Sequence, residues 1–171
     1  VSNGIYTVVV TDENGCSTSA EINITQPDTL IISETHSNYS GFGVSCNGDD
    51  DGWIDISVEG GTGLYTYEWS NDQTSEDVDG LSSGTYSVIV TDENGCSIST
   101  EINITEADIL TISETHSNYN GFGVSCNGDD DGWIDISVEG GTGVYNYDWS
   151  NDQTSEDLDE LVAGTYSVVV T

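Results

Sequence analysis

Residues 28–91 return as residues 108–171, an offset of 80, with 53 of the 64 aligned positions identical. The stretch Val44-Ser-Cys-Asn-Gly-Asp-Asp-Asp-Gly-Trp53 recurs unchanged as Val124 to Trp133, and residues 1–27 match 81–107. Repetition at this period predicts an array of like units, each leaning on its neighbours, rather than one large core. The expected boundaries are 1–27 for the C-terminal part of a preceding repeat, 28–107 for a complete repeat, and 108–171 for the next repeat, lacking its last strand. On this reading the chain is an internal stretch of a longer array. A unit of this length is lean in core, so disulfides or metals are expected to assist it.

The local pattern is β throughout. Trp53–Glu59 alternates strictly, with Ile54, Ile56 and Val58 on one face. Leu64–Trp69 alternates again, with Tyr65, Tyr67 and Trp69 directed inward. Further strands are predicted around Thr74–Leu81, at Thr85–Thr91 and at Ser97–Thr105, with Leu30–His36 and Tyr39–Val44 ahead of them. Short alternating runs separated by Gly, Asn and Asp turns point to an all-β fold of tandem sandwiches. Tyr86 stands where a sandwich can bond a tyrosine hydroxyl back to nearby backbone, although core packing is the stronger expectation for it and for Trp69.

Charge restricts the partners. The chain carries 32 Asp and Glu residues and no Lys or Arg, a formal charge of −32. It can form no Lys or Arg salt bridge and must repel itself at low ionic strength. Nucleic acid and membrane insertion are excluded as expectations, because basic patches and long apolar runs are both missing. Disorder is not expected either, since 35% of residues are hydrophobic and four Trp and nine Tyr are present.

The most informative local feature is Asn47-Gly-Asp49-Asp-Asp51-Gly-Trp53-Ile-Asp55. Oxygen side chains at alternate positions, a glycine, and a backbone oxygen at Trp53 match the first nine positions of a calcium loop. The twelfth-position Glu is replaced by Val58, so further oxygens from Glu59, the Asp92-Glu93-Asn94 turn or water would be needed. Calcium is therefore the expected cofactor, at Asn47, Asp49, Asp51, Trp53 and Asp55 and at Asn127, Asp129, Asp131, Trp133 and Asp135. The alternative is a solvated polar turn ahead of a strand.

Two cysteines fall in each period. Exposed surface repeats favour disulfides, and an even number of strand crossings would pair Cys46 with Cys96, leaving Cys16 and Cys126 to pair outside the chain. If residues 74–84 hold two strands, Cys16–Cys46 and Cys96–Cys126 become the alternative. His36 beside Glu34 is expected to be an exposed polar residue, as is its copy His116. No nucleophilic triad, Cys/His pair or phosphate loop is present, so no enzyme is expected.

The order Val44-Ser-Cys-Asn-Gly48, Gly60-Gly-Thr-Gly-Leu-Tyr-Thr-Tyr-Glu-Trp-Ser70, Leu81-Ser-Ser-Gly-Thr-Tyr-Ser-Val88 and Val90-Thr-Asp-Glu-Asn-Gly-Cys96 resembles the SprB-type repeat. That family occurs in very large surface adhesins of Bacteroidota, including a gliding-motility adhesin. The resemblance implies an immunoglobulin-like or PKD-like sandwich, export by the type IX system, and an extracellular, cell-surface role as filament or adhesin. The acidic loop and the Ser37–Gly43 stretch depart from the family pattern. Asp28-Thr29-Leu30 fits the short O-glycosylation motif of such bacteria, and Asn23 and Asn103 head sequons. Expected partners are neighbouring repeats, identical chains in a fibre and a surface glycan; mineral or ice binding belongs to the same adhesive alternative.

Overall fold

The computed structural model describes all 171 residues, and its regular structure is entirely β. The strands are β1 Gly4–Thr11, β2 Ser17–Ile24, β3 Ile31–His36, β4 Gly52–Glu59, β5 Thr66–Trp69, β6 Val78–Leu81, β7 Gly84–Thr91 and β8 Ser97–Ile104. They continue as β9 Thr111–His116, β10 Gly132–Glu139, β11 Tyr147–Trp149, β12 Leu158–Leu161 and β13 Val168–Val170. Two compact units are formed. The first holds Val1–His36, Trp53–Asp79 and Thr85–Asn103; the second holds Ser37–Gly52, Gly80–Gly84 and Ile104–Thr171. The division does not follow the 80-residue period. It groups the acidic loop of one repeat with the start of the next.

In the second unit, β12-β10-β9 form one antiparallel sheet and β11-β13 another. Ile136, Trp149, Leu158 and Leu161 are buried, with Ile134, Val138, Tyr147, Tyr166, Val168 and Val170 packed on them. These side chains come from both sheets, which makes the unit a sandwich. β11 runs antiparallel to β13, and β12 antiparallel to β10. Between them, Trp149 donates its indole N–H to Ser155 O at 2.9 Å, and Asp157 accepts the Ile136 N–H at 3.0 Å. β11 and β12 are thus two halves of one descent that changes sheet midway.

The first unit repeats the pattern. β3 pairs with β4 from Ile31↔Glu59 to His36↔Ile54, and β5-β7-β8 form the facing type of sheet. β4 alternates as predicted: Ile54 and Ile56 are buried while Trp53, Asp55 and Ser57 face solvent. Gly60, at φ 83°, ends the strand against the Thr29 carbonyl, where a Cβ would collide with it. The Gly61 N–H donates to Asp28 O at 2.8 Å and so seats this turn on the leading end of the repeat.

Two expectations are corrected. Tyr39–Val44 is not a strand but a tight turn closed by reciprocal backbone bonds between Tyr39 and Phe42. β5 begins at Thr66 rather than Leu64, because Gly60–Gly63 is followed by two further non-strand residues. At the copies of Tyr86 the backbone bond is present: the Tyr166 hydroxyl, whose ring also packs on the core, donates to Val162 O at 3.0 Å, and that of Tyr6 to Ser2 O at 2.9 Å.

Candidate repeat junction

The loop between Val44 and Gly52 is organised around a serine. The Ser45 N–H donates to Asp51 Oδ1 at 3.0 Å and its hydroxyl to Asp49 Oδ2 at 2.8 Å. The Asp49 N–H closes a turn on Cys46 O at 3.1 Å, and Gly48 takes φ 84° at its tip. Donation from the Ser45 backbone and hydroxyl holds the Asp51 carboxyl below its ordinary value. The second copy repeats this: Ser125 donates to Asp131 at 2.9 Å and to Asp129 at 2.9 Å, and Asp131 is lowered for the same reason.

Part of the loop grips the chain that leaves the repeat. The Asn47 side-chain amide donates to Ala107 O at 2.8 Å, and the Gly48 N–H donates to Glu106 Oε2 at 2.8 Å. Gly43 and Val44 both donate to Thr105 O, at 2.8 and 3.2 Å. Gly43 has no room for a side chain, since a Cβ there would meet Ile104 and the Thr105 backbone. Ala107 is buried. Four donors from one loop therefore fix three consecutive residues, 105–107, that precede the next repeat.

Of the expected calcium ligands, Asp49 and Asp51 are brought together on Ser45, while Asn47 turns its amide to Ala107. Asp55 is carried away on β4, paired with Thr35, and Trp53 is half exposed on the same strand. No group of three or more His, Cys, Asp and Glu side chains converges as a metal centre. His36 and His116 lie against Glu34 and Glu114, each at 2.9 Å, on exposed strand faces. Thr29, Asn23 and Asn103 are all exposed.

Asp92, named in the sequence only as a spare ligand, has another role. Its Oδ1 accepts from the N–H groups of Asn94 (3.0 Å) and Cys96 (2.8 Å). Its Oδ2 accepts from the Thr62 N–H (3.0 Å) and hydroxyl (3.1 Å). Burial pushes this carboxyl up, but the bonds from Cys96, Thr62 and Asn94 outweigh it and hold it below its ordinary value. Asp92 thereby ties the Cys96 turn to the turn after β4.

The expected Cys46–Cys96 disulfide is not formed; Cys16, Cys46, Cys96 and Cys126 are free and exposed. The crossing count that supported it treated β5 and β6 as two passes. As their copies β11 and β12 show, they make one. The Cys96 turn is tied through Asp92 and Thr62 to the leading end of the repeat, whereas the Cys46 loop is tied to residues 105–107 at its trailing end.

Antiparallel sheets in both units, packed as a sandwich in the second, and an 80-residue repeat define an all-β tandem-repeat chain. Residues 44–74 and 124–154 each match the SprB repeat family, two hits consistent with SprB-type repeats, a family of the immunoglobulin-like class. This is a structural repeat family typical of cell-surface adhesins rather than a family of enzymes. The match begins at Val44, the residue where the junction loop starts. No curated protein matches the chain.

Proposed function

We propose that this chain is a spacer segment of an extracellular adhesin or surface filament, of the kind used in attachment or gliding and exported by the type IX system. The observation that carries this is the donation of Asn47 and Gly48 to Ala107 and Glu106, which uses the most acidic loop to hold the linker. Calcium, drawn to Asp49, Asp50 and Asp51 and their copies, stiffens the array by offsetting a charge that no Lys or Arg offsets. Limited proteolysis tests both parts. Asn47→Ala should speed cleavage at residues 105–110, and calcium should slow cleavage of the parent chain relative to a chelated control. Equal cleavage of parent and variant would remove the spacer argument; no calcium-dependent heat by calorimetry would remove the calcium part.

A second reading is an adhesive module. Trp53 and Trp133 are 40% and 39% exposed beside exposed Asp55 and Asp135, one period apart, a combination that suits stacking on a sugar ring. Glycan-array binding lost in Trp53→Ala would favour it over a passive spacer.

A further inference from the structure

We propose that neighbouring repeats are stapled by a disulfide between Cys46 of one repeat and the counterpart of Cys96 in the next, deepening the spacer reading on which it rests. The observation is that the two cysteines line the same place, one period apart. Cys96 lines a cavity of about 330 Å³ with Pro27–Leu30 and Gly61. Cys46 lines one of about 480 Å³ with Ala107–Leu110 and Gly141. Each of these wall residues is 80 positions from its counterpart, so the two cavities are one site seen at successive junctions.

Each cavity shows the half that the other does not. At the first, the walls beyond the shared residues are Asp92 and Cys96–Ile98, from the repeat that is starting. At the second they include Ser45–Asn47, from the repeat that is ending, beside Thr142, Val144, Tyr145, Val170 and Thr171. In a chain continued at this period, the counterpart of Cys96 falls five residues beyond Thr171. Superposing the halves puts one cysteine from each repeat against the same linker, both exposed and able to react.

Formation of the bond removes two protons and two electrons from the thiol pair. The acceptor is a disulfide oxidant: one thiolate attacks it, giving a mixed disulfide and one released thiol, and the second thiolate then displaces the other thiol.

The test is the full chain extended after Thr171 by a copy of residues 92–107, oxidised with glutathione disulfide and mapped by non-reducing peptide analysis. The expected result is one bond, Cys46 to the appended cysteine, with Cys16, Cys96 and Cys126 still alkylatable. The melting midpoint should rise by about 10 °C on oxidation, as closing so long a loop implies. Replacing the appended cysteine by serine should leave Cys46 a thiol and abolish the rise. Should the short extension fail to fold, a chain extended by a copy of residues 92–171 gives the same readout. A Cys46 that stays reduced in the folded, oxidised chain, or that bonds to any other cysteine, overturns the proposal. Asn47→Ala proteolysis is read on the unextended, reduced chain, so the spacer reading and the disulfide can fail separately.

Discussion

Asp92 shows how a single carboxylate in a chain of −32 charge can be structural rather than repulsive. Four donors surround it, all neutral, so its charge is stabilised by hydrogen bonds where no cation exists. Its folded value lies below the ordinary 3.8, so its contribution is present above that pH and lost as pH falls through the folded value. Asp92→Asn should therefore lower the melting midpoint at pH 7, and the gap to the parent should close below about pH 4. A gap unchanged by pH would sink this account. Tyr166→Phe is a milder case. Its hydroxyl bond to Val162 O is exposed, and its loss should cost about 1 kcal/mol by urea titration.

At the scale of elements, near-identical sequence behaves differently according to what faces it. The β7–β8 residues Val88, Val90, Ile102 and Ile104 are 0–4% exposed, whereas their copies Val8, Val10, Ile22 and Ile24 on β1–β2 are 40–61% exposed. Both hairpins close with the same turn bond, Asp12 N–H to Cys16 O and Asp92 N–H to Cys96 O, and the β1–β2 register runs from Gly4↔Ile24 to Thr11↔Ser17. Burial thus depends on the opposing sheet and not on the strand. Val88→Ala should cost about 2 kcal/mol in denaturant unfolding, while Val8→Ala should be near neutral. Strand positions were legible from alternation where one face is buried; β4 is the clear case. The sheet change between β5 and β6 was not, since a half-strand of four residues looks the same whether or not it stays in its sheet.

For the whole molecule the main force opposing compactness, besides chain entropy, is self-repulsion among the carboxylates. The Debye length falls from about 30 Å at 0.01 M salt to about 3 Å at 1 M, so the melting midpoint should rise steadily with sodium chloride over that range. Calcium should reproduce most of the rise at millimolar concentration if the loops at 49–51 and 129–131 take it up; equal potency of calcium and sodium at matched ionic strength would show screening alone.

The repeat, its period, the β class and the importance of the loop after Cys46 were determined by the sequence, because self-similarity and alternation are local properties of a chain. What the loop does was decided only in three dimensions. Its alternate oxygens suggested ligands for a cation or a solvated polar turn, and the fold makes Asp49 and Asp51 acceptors for Ser45 while turning Asn47 to the departing linker. Which cysteines share an end of the sandwich was likewise beyond the sequence. It hangs on whether β5 and β6 cross the sandwich once or twice, and that is set by the packing of Trp149-type anchors between two sheets rather than by any residue near a cysteine.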